Sequence, residues 1–318
     1  MSKNVKVAIV GAGNMATEHL KAFSAIEGVQ PAGIFSRTPT RAVALAATYP
    51  QMSVCDSIED LYNKTRADIV VVTVRELAMA TVAVECFKFP WIVLLEKPAG
   101  YDLVDATRIL DAAQKANSKV YVALNRRAYS STRGALGELD TTEGKRFIKV
   151  LDQQDQQVAR NIIKEPEAVV QNYMFANSIH LIDYFRVFGR GGIAKVTPVV
   201  PWNPAEPGIV ISKIEFTSGD IGLYEALWDG PGPWAVSVAT PQKRLEMRPL
   251  EQVTVQLRGE RRLSSLDIST SDTSFKPGLL LQAQQAVAVV RGETNFLPTL
   301  HDSWYSMKLV ADIYGIAS

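Results

Sequence analysis

Three short stretches of the chain place reactive or phosphate-binding residue types at usable spacings. Gly11-Ala12-Gly13-Asn14-Met15-Ala16 follows a short β-branched run and opens a helix-forming segment. In that context Gly11 makes a tight turn and Gly13 lets the backbone approach a pyrophosphate. Ala16 permits close helix–strand contact, and Asn14 and Met15 begin a helix whose free N–H groups and positive dipole end favour an anion. Glu96-Lys97-Pro98 stands directly after the apolar run Ile92-Val93-Leu94-Leu95, at the carboxyl end of a strand, where open α/β sheets bind their ligands. Partial burial and a neighbouring cationic ring would both favour a neutral lysine there, which suits proton shuttling. The third stretch runs from Asn177 to Phe185. On a helix Asn177, His180 and Asp183 fall on one side, while Ile179, Ile182 and Phe185 mark an apolar stripe. Taken alone, a histidine on such a helix is more often structural; the company of the first two stretches reverses that reading.

The end of the second strand indicates which dinucleotide is meant. NAD-binding domains usually place Asp or Glu there, about 20 residues beyond the glycines, to hold the ribose hydroxyls. Here the chain reads Phe35-Ser36-Arg37-Thr38-Pro39-Thr40-Arg41, with no acid. Ser36 and Thr38 can donate to a 2′-phosphate, and Arg37 can pair with it and stack on adenine. Arg41 lies one helical turn further on. The pattern predicts a preference for NADP(H) over NAD(H).

The elements that must position these residues alternate through the first third. Strands are predicted at Val5–Val10, Val29–Phe35, Ala67–Val74, Trp91–Leu95 and Val120–Leu124. Helices are predicted near 14–26, 40–48, 78–87 and 103–116. Continuous apolar strands separated by helices mean a parallel sheet covered on both faces. The rhythm stops near Asn125. Beyond it come a helix near 178–188, alternating runs at 210–216, 222–228 and 253–258, and a last helical pair near 280–291 and 301–313, interrupted by Pro298. The expected architecture is an α/β Rossmann domain, residues 1–124, then an α+β domain, residues 125–318, with a mostly antiparallel open sheet. The last helix is allowed to pack back on the first domain.

Composition narrows the class. The chain has 318 residues, 47% hydrophobic and 21% charged, and 34 basic against 33 acidic side chains leave a net charge of +1. No basic excess advertises a nucleic-acid partner. No apolar run approaches the ~18 residues of a membrane helix, and the N-terminus enters a strand without the apolar stretch of a signal peptide. Two cysteines and three histidines are poor material for a disulfide framework or a zinc cluster. The expectation is a soluble, cytoplasmic protein without a metal. Trp228, Trp234 and Tyr224 lie in the sheet-forming region, where packing is the more ordinary role for such rings.

Together these stretches, with Asn125-Arg126-Arg127 and the closing segment from Pro298 to Tyr314, resemble the Gfo/Idh/MocA family of sugar oxidoreductases. The resemblance implies a Rossmann domain followed by a domain whose open sheet forms the substrate floor and the interface of a homodimer or homotetramer. It implies hydride transfer to or from a carbon of a sugar, nucleotide-sugar or polyol. Lys97 would orient the reacting oxygen or relay its proton, and His180 would act as general acid/base. Thr73, Glu96, Lys97 and Asn125 would join the glycine turn and Ser36-Arg37-Thr38 around the cofactor. Arg126, Asn177 and Asp183 would flank the substrate with Lys97 and His180.

Two departures qualify the carry-over. The family's Asp, four residues before the histidine, is Ala176 here. Either His180 and Lys97 manage with Tyr173 or Asn177, or the chemistry differs. The family's Thr-Pro-Asn-x-x-His segment is replaced by Thr73-Val74-Arg75-Glu76-Leu77, where Arg75 either meets an anion or pairs at the surface with Glu76. Alternative readings are reduction of an imine or another non-sugar carbonyl, a net epimerisation or hydrolysis on a retained cofactor, and a non-catalytic dinucleotide sensor or accessory subunit.

Overall fold

A computed structural model describes residues 4–316. The first sheet is built from β1 (Val5–Val10), β2 (Val29–Phe35), β3 (Ser53–Cys55), β4 (Ile69–Val72), β5 (Ile92–Leu95) and β6 (Val120–Val122), in the order β3-β2-β1-β4-β5-β6. Every pairing in it is parallel. The order reverses at β1, the switch point where α/β sheets of this kind bind dinucleotides. Crossover helices α1 (Asn14–Ser24), α2 (Pro39–Ala46), α3 (Ile58–Thr65), α4 (Glu76–Cys86) and α5 (Leu103–Lys115) cover its faces. The strands Ile69–Val72 and Ile92–Leu95 are apolar at every position because both faces are covered. The sequence pattern assigns nothing over 49–66; β3 and α3 lie there. β3 has only three residues, and two of them are exposed, so it offers little apolar periodicity to detect.

The second sheet has eight strands: β7 (Phe147–Gln154), β8 (Ile193–Val200), β9 (Ile209–Phe216), β10 (Ile221–Trp228), β11 (Ala235–Ala239), β12 (Lys243–Met247), β13 (Thr254–Leu257) and β14 (Ser264–Ser265). Their order is β14-β13-β12-β11-β7-β10-β9-β8. β7 and β10 pair in parallel, and the remaining pairs are antiparallel. Burial alternates strictly along β7, β9 and β10, so one face packs and the other is open. Helix α6 (Ser130–Asp140) precedes this sheet. The short α7 (Gln156–Val158) and α8 (Glu167–Gln171) lead to α9 (Ile179–Phe188). A π-helical turn at Met174–Ser178 runs directly into α9.

The chain divides into two compact units. One runs to Ala128 and takes in Ser271–Trp304; the other comprises Tyr129–Thr270 and the chain from Tyr305 onward. The returning segment carries the short helix α10 (Ser271–Ser274) and α11 (Leu279–Arg291). Leu279, Ala283, Ala286 and Val287 of α11 join Val7, Ile9, Leu20 and Phe23 in the core of the first unit. Pro298 O accepts from Val122 N at 3.0 Å, and Tyr121 bridges Thr299 beyond the last strand. The closing helix α12 (Leu300–Tyr314) begins in the first unit, where Trp304 Nε1 donates to Thr107 Oγ1 at 2.9 Å.

Candidate active site

The glycine turn is built around two positions with opposite demands. Gly11 has φ +110°, and a Cβ there would lie 2.5 Å from the carbonyl oxygen of Thr73 and 2.6 Å from its Oγ1. Thr73 Oγ1 in turn donates to Val10 O at 3.2 Å, so the threonine closes the floor of the turn. Gly13 is N-cap of α1 with extended backbone, and a Cβ on it would meet nothing within 4 Å. That open space is the kind of cradle a pyrophosphate fills. Two helices of this unit are capped by side chains, Ser57 accepting from Asp60 N and Asp102 from Asp105 N, whereas α2 and α4 have no such cap. The α1 N-terminus has no side-chain cap and no acid in its first turn, leaving its N–H donors directed at the space beside Gly13. Ser36 Oγ accepts from Thr38 N at 3.2 Å, forming a tight turn past β2, and Arg37, Thr38 and Arg41 are exposed around it. These residues fit a dinucleotide in chemistry and in space.

Behind the turn, α1 carries a residue that no sequence motif singles out. His19 is 1% exposed, and its Nε2 lies 2.7 Å from Glu96 Oε1. The second carboxylate oxygen accepts from Lys97 N at 3.2 Å. Burial pushes the Glu96 carboxyl up, but the His19 hydrogen bond and the nearby Lys97 and Lys276 outweigh it, and the group stays below its ordinary range. It is therefore ionised, and His19 Nε2–H is the donor. Burial is also the largest influence on Lys97 and pushes its ammonium down. Arg126 and Lys276 push the same way, and Glu96 and Glu76 oppose them. The result is a lysine easier to deprotonate than one in water, held by a strand end and a carboxylate that is already engaged. Asn125, buried just after the last strand of this sheet, donates through Nδ2 to Pro277 O at 3.0 Å.

In the second unit His180 sits in the first turn of α9 and is 7% exposed. The Trp234 ring centroid lies 6.4 Å from its own. Asn177, in the π-helical turn, donates to Gln154 Oε1 at 2.8 Å, and Gln154 Nε2 donates to Asp152 Oδ1 at 2.7 Å. Tyr224 OH donates to the other Asp152 oxygen at 2.7 Å, and Tyr314 OH lies 2.9 Å from Tyr224 OH. Trp228 Nε1 completes the network on Tyr314 at 3.1 Å. Asp152 is buried, and desolvation holds its carboxyl above the ordinary value despite these donors. Nothing in the local pattern of β7 announces this acid; it shows only in the side-chain chain from Asp152 through Gln154 to Asn177. Ala176 and Asp183 are both buried, and Asp183 Oδ1 accepts from Ser306 Oγ at 2.6 Å, which ties α9 to α12. Tyr173 is half-buried at the start of the π-helical turn. Within the first unit, then, the structure brings together Gly11, Gly13, Thr73, Glu96 and Lys97. Within the second it brings Asn177 and His180 onto adjoining turns.

Comparison with known proteins agrees with this geometry. Residues 5–124 match the family model described as "Oxidoreductase family, NAD-binding Rossmann fold", the Gfo/Idh/MocA family. A 4-carboxy-2-hydroxymuconate-6-semialdehyde dehydrogenase from Sphingobium sp. (strain NBRC 103272 / SYK-6) is 23% identical over 236 residues, covering 72% of this chain and 74% of that protein. Among solved structures, a dehydrogenase from Chromobacterium violaceum superposes with a TM-score of 0.82 at 17% identity, covering 99% of this chain and 95% of that one. A UDP-N-acetylglucosamine 3-dehydrogenase from Acidithiobacillus ferrooxidans superposes with a TM-score of 0.77 at 14% identity, covering 98% and 97%. No helix among the described residues is long and apolar enough to cross a membrane. The glycine turn at the sheet's switch point and the matched segment mark residues 5–124 as a Rossmann domain similar to that of the Gfo/Idh/MocA oxidoreductases, and the chain as an NAD(P)-dependent oxidoreductase.

Proposed function

We propose that the protein is a cytoplasmic, NADP(H)-dependent oxidoreductase acting on a hydroxyl or carbonyl carbon of a sugar, nucleotide-sugar or polyol, with Lys97 and His180 handling the proton. The observation that carries this reading is the His19–Glu96–Lys97 arrangement behind the glycine turn. When bound, the dinucleotide supplies or accepts the hydride. The chain's own residues do the rest. Lys97, with its lowered pKa, donates a proton to the developing alkoxide in reduction and withdraws it in oxidation. Its positive charge stabilises the same oxygen in the transition state. His180 is the second acid/base group, Tyr173 joins the two in the catalytic set, and Arg126, Asn177 and Asp183 are assigned to the substrate with Lys97 and His180. The acid-free turn with exposed Arg37 and Arg41 supports selection of the 2′-phosphate. Half-buried Leu151, Ile211, Leu223 and Leu227 on the open face of the second sheet support a homo-oligomer formed through that face.

Lys97→Ala and His180→Ala test the assignment. Each is expected to depress turnover by roughly 10²- to 10⁴-fold with little change in dinucleotide affinity. Unchanged turnover in both would refute it. A second reading, a non-sugar carbonyl as substrate, rests on Ala176, which removes the acid of the sugar-oxidising pattern, and on the semialdehyde dehydrogenase relative. Parallel assay of polyols and carboxylated aldehydes separates the two.

A further inference from the structure

The returning segment that ends in α11 does more than fill the core. The loop ahead of that helix is strapped across α1 at several points. Lys21 Nζ donates to Ser274 O at 2.8 Å and lies 5.1 Å from the centroid of the Phe275 ring. Gly278 N donates to Asp272 Oδ1 at 2.8 Å, closing the loop on itself. Asn125 holds Pro277 O from the opposite side. Between these anchors stands exposed Lys276, whose Nζ lies 3.0 Å from the Sδ of Met15, in the first turn of α1. A thioether is a weak acceptor for an ammonium, so this charge is positioned by the backbone of its loop rather than by a strong partner. It stands beside the helix terminus that lacks a cap and the glycine that leaves open space.

Resting on the dinucleotide reading above, we propose that Lys276 is a cofactor-binding residue that pairs with the pyrophosphate of the dinucleotide across the N-terminus of α1, and that loop 271–278 is the strap that holds it there. The turn N–H groups of α1 and the Lys276 ammonium then address one anion from two sides, one set from the start of the chain and the other from a residue 261 positions beyond Met15. The same charge reaches Glu96 and Lys97, so its neutralisation by a bound pyrophosphate would be felt at the proton-handling lysine.

The test is titration of the purified full chain with NADPH and with NADH, followed by nicotinamide fluorescence, for wild type, Lys276→Ala and Lys276→Arg. A charge-assisted contact at an exposed site is worth about tenfold in affinity. Lys276→Ala should weaken both nucleotides by about that factor, because both carry the pyrophosphate. Lys276→Arg should restore most of the loss, and the affinity of the alanine variant should depend less on salt. Equal affinities for wild type and Lys276→Ala would overturn the proposal. Weakening of NADPH alone would move Lys276 to the 2′-phosphate and overturn it too. Unchanged affinities with a raised substrate KM would overturn it by placing the charge on a substrate anion instead. If wild type binds neither nucleotide, the functional reading itself fails, and this inference with it.

Discussion

The two glycines of the turn make a paired prediction in which fold and binding separate. Gly11→Ala places a methyl group 2.5 Å from a backbone carbonyl oxygen at φ +110°. The positive φ alone costs about 1–3 kcal/mol, and the contact with Thr73 can be relieved only by moving a strand end. A total near 3 kcal/mol corresponds to a drop in Tm of roughly 6–12 °C for a chain of this size. Gly13→Ala should behave in the opposite way. Its backbone is extended, at φ −94° and ψ −174°, and its methyl group meets nothing. Stability should change by less than about 1 kcal/mol, and the loss of unfolded-state freedom can even raise it. The methyl group would, however, occupy the space the pyrophosphate needs. The assay is thermal unfolding with and without NADPH at ~100 times the wild-type Kd, where wild type should gain about 2.7 kcal/mol. Gly13→Ala should unfold at the wild-type temperature and lose most of that gain. A Gly13→Ala variant that keeps the full shift would refute the claim that the dinucleotide lies against this turn.

Arg37→Ala should weaken NADPH about tenfold and leave NADH within a factor of two, as measured by fluorescence titration. His19→Ala removes the partner of a buried carboxylate and should cost about 3–5 kcal/mol of stability in denaturant unfolding; a loss under about 1 kcal/mol would show the pair to be unimportant. Reductive kcat/KM should fall as pH rises through the pKa of Lys97, below the usual lysine value, because the donor must be protonated. Lys97→Ala should abolish that limb. In the second unit burial pushes the Asp220 carboxyl up, but Arg190 and the backbone N–H of Arg146 outweigh it and hold the group at about 2. A depressed carboxylate stabilises fully above its unfolded value near 4 and loses that contribution as pH falls toward 2. Asp220→Asn should therefore remove about 2 kcal/mol at pH 7 and little at pH 2.

The parts of this molecule legible in its sequence are those set by short-range rules. β1 is readable to the residue because it is a β-branched apolar run ended by a glycine turn. The glycine turn and Glu96-Lys97 are readable because backbone conformation and position at a strand end are local properties. What no local pattern announces is partnership across long separations. His19 reads as one polar residue on an amphipathic helix until the fold sets it against Glu96, 77 positions away. Lys276 reads as a loop cation until α11 carries its segment into the core of the first unit. The π-helical turn before His180 is equally silent, since Met174–Ser178 has the composition of an ordinary helix. β7, whose polar residues Asp152 and Gln154 are buried, hides its strand character behind the very side chains that build the network beside Asn177.

The central claim is that this chain uses a phosphorylated dinucleotide held between the Gly13 turn and Arg37. Its most direct test is the ratio of dissociation constants for NADPH and NADH measured on the purified protein in one buffer. NADPH should bind with a micromolar or tighter Kd, and NADH more weakly by at least about tenfold. Equal affinities or tighter NADH would contradict the specificity, and no binding of either would contradict the oxidoreductase itself.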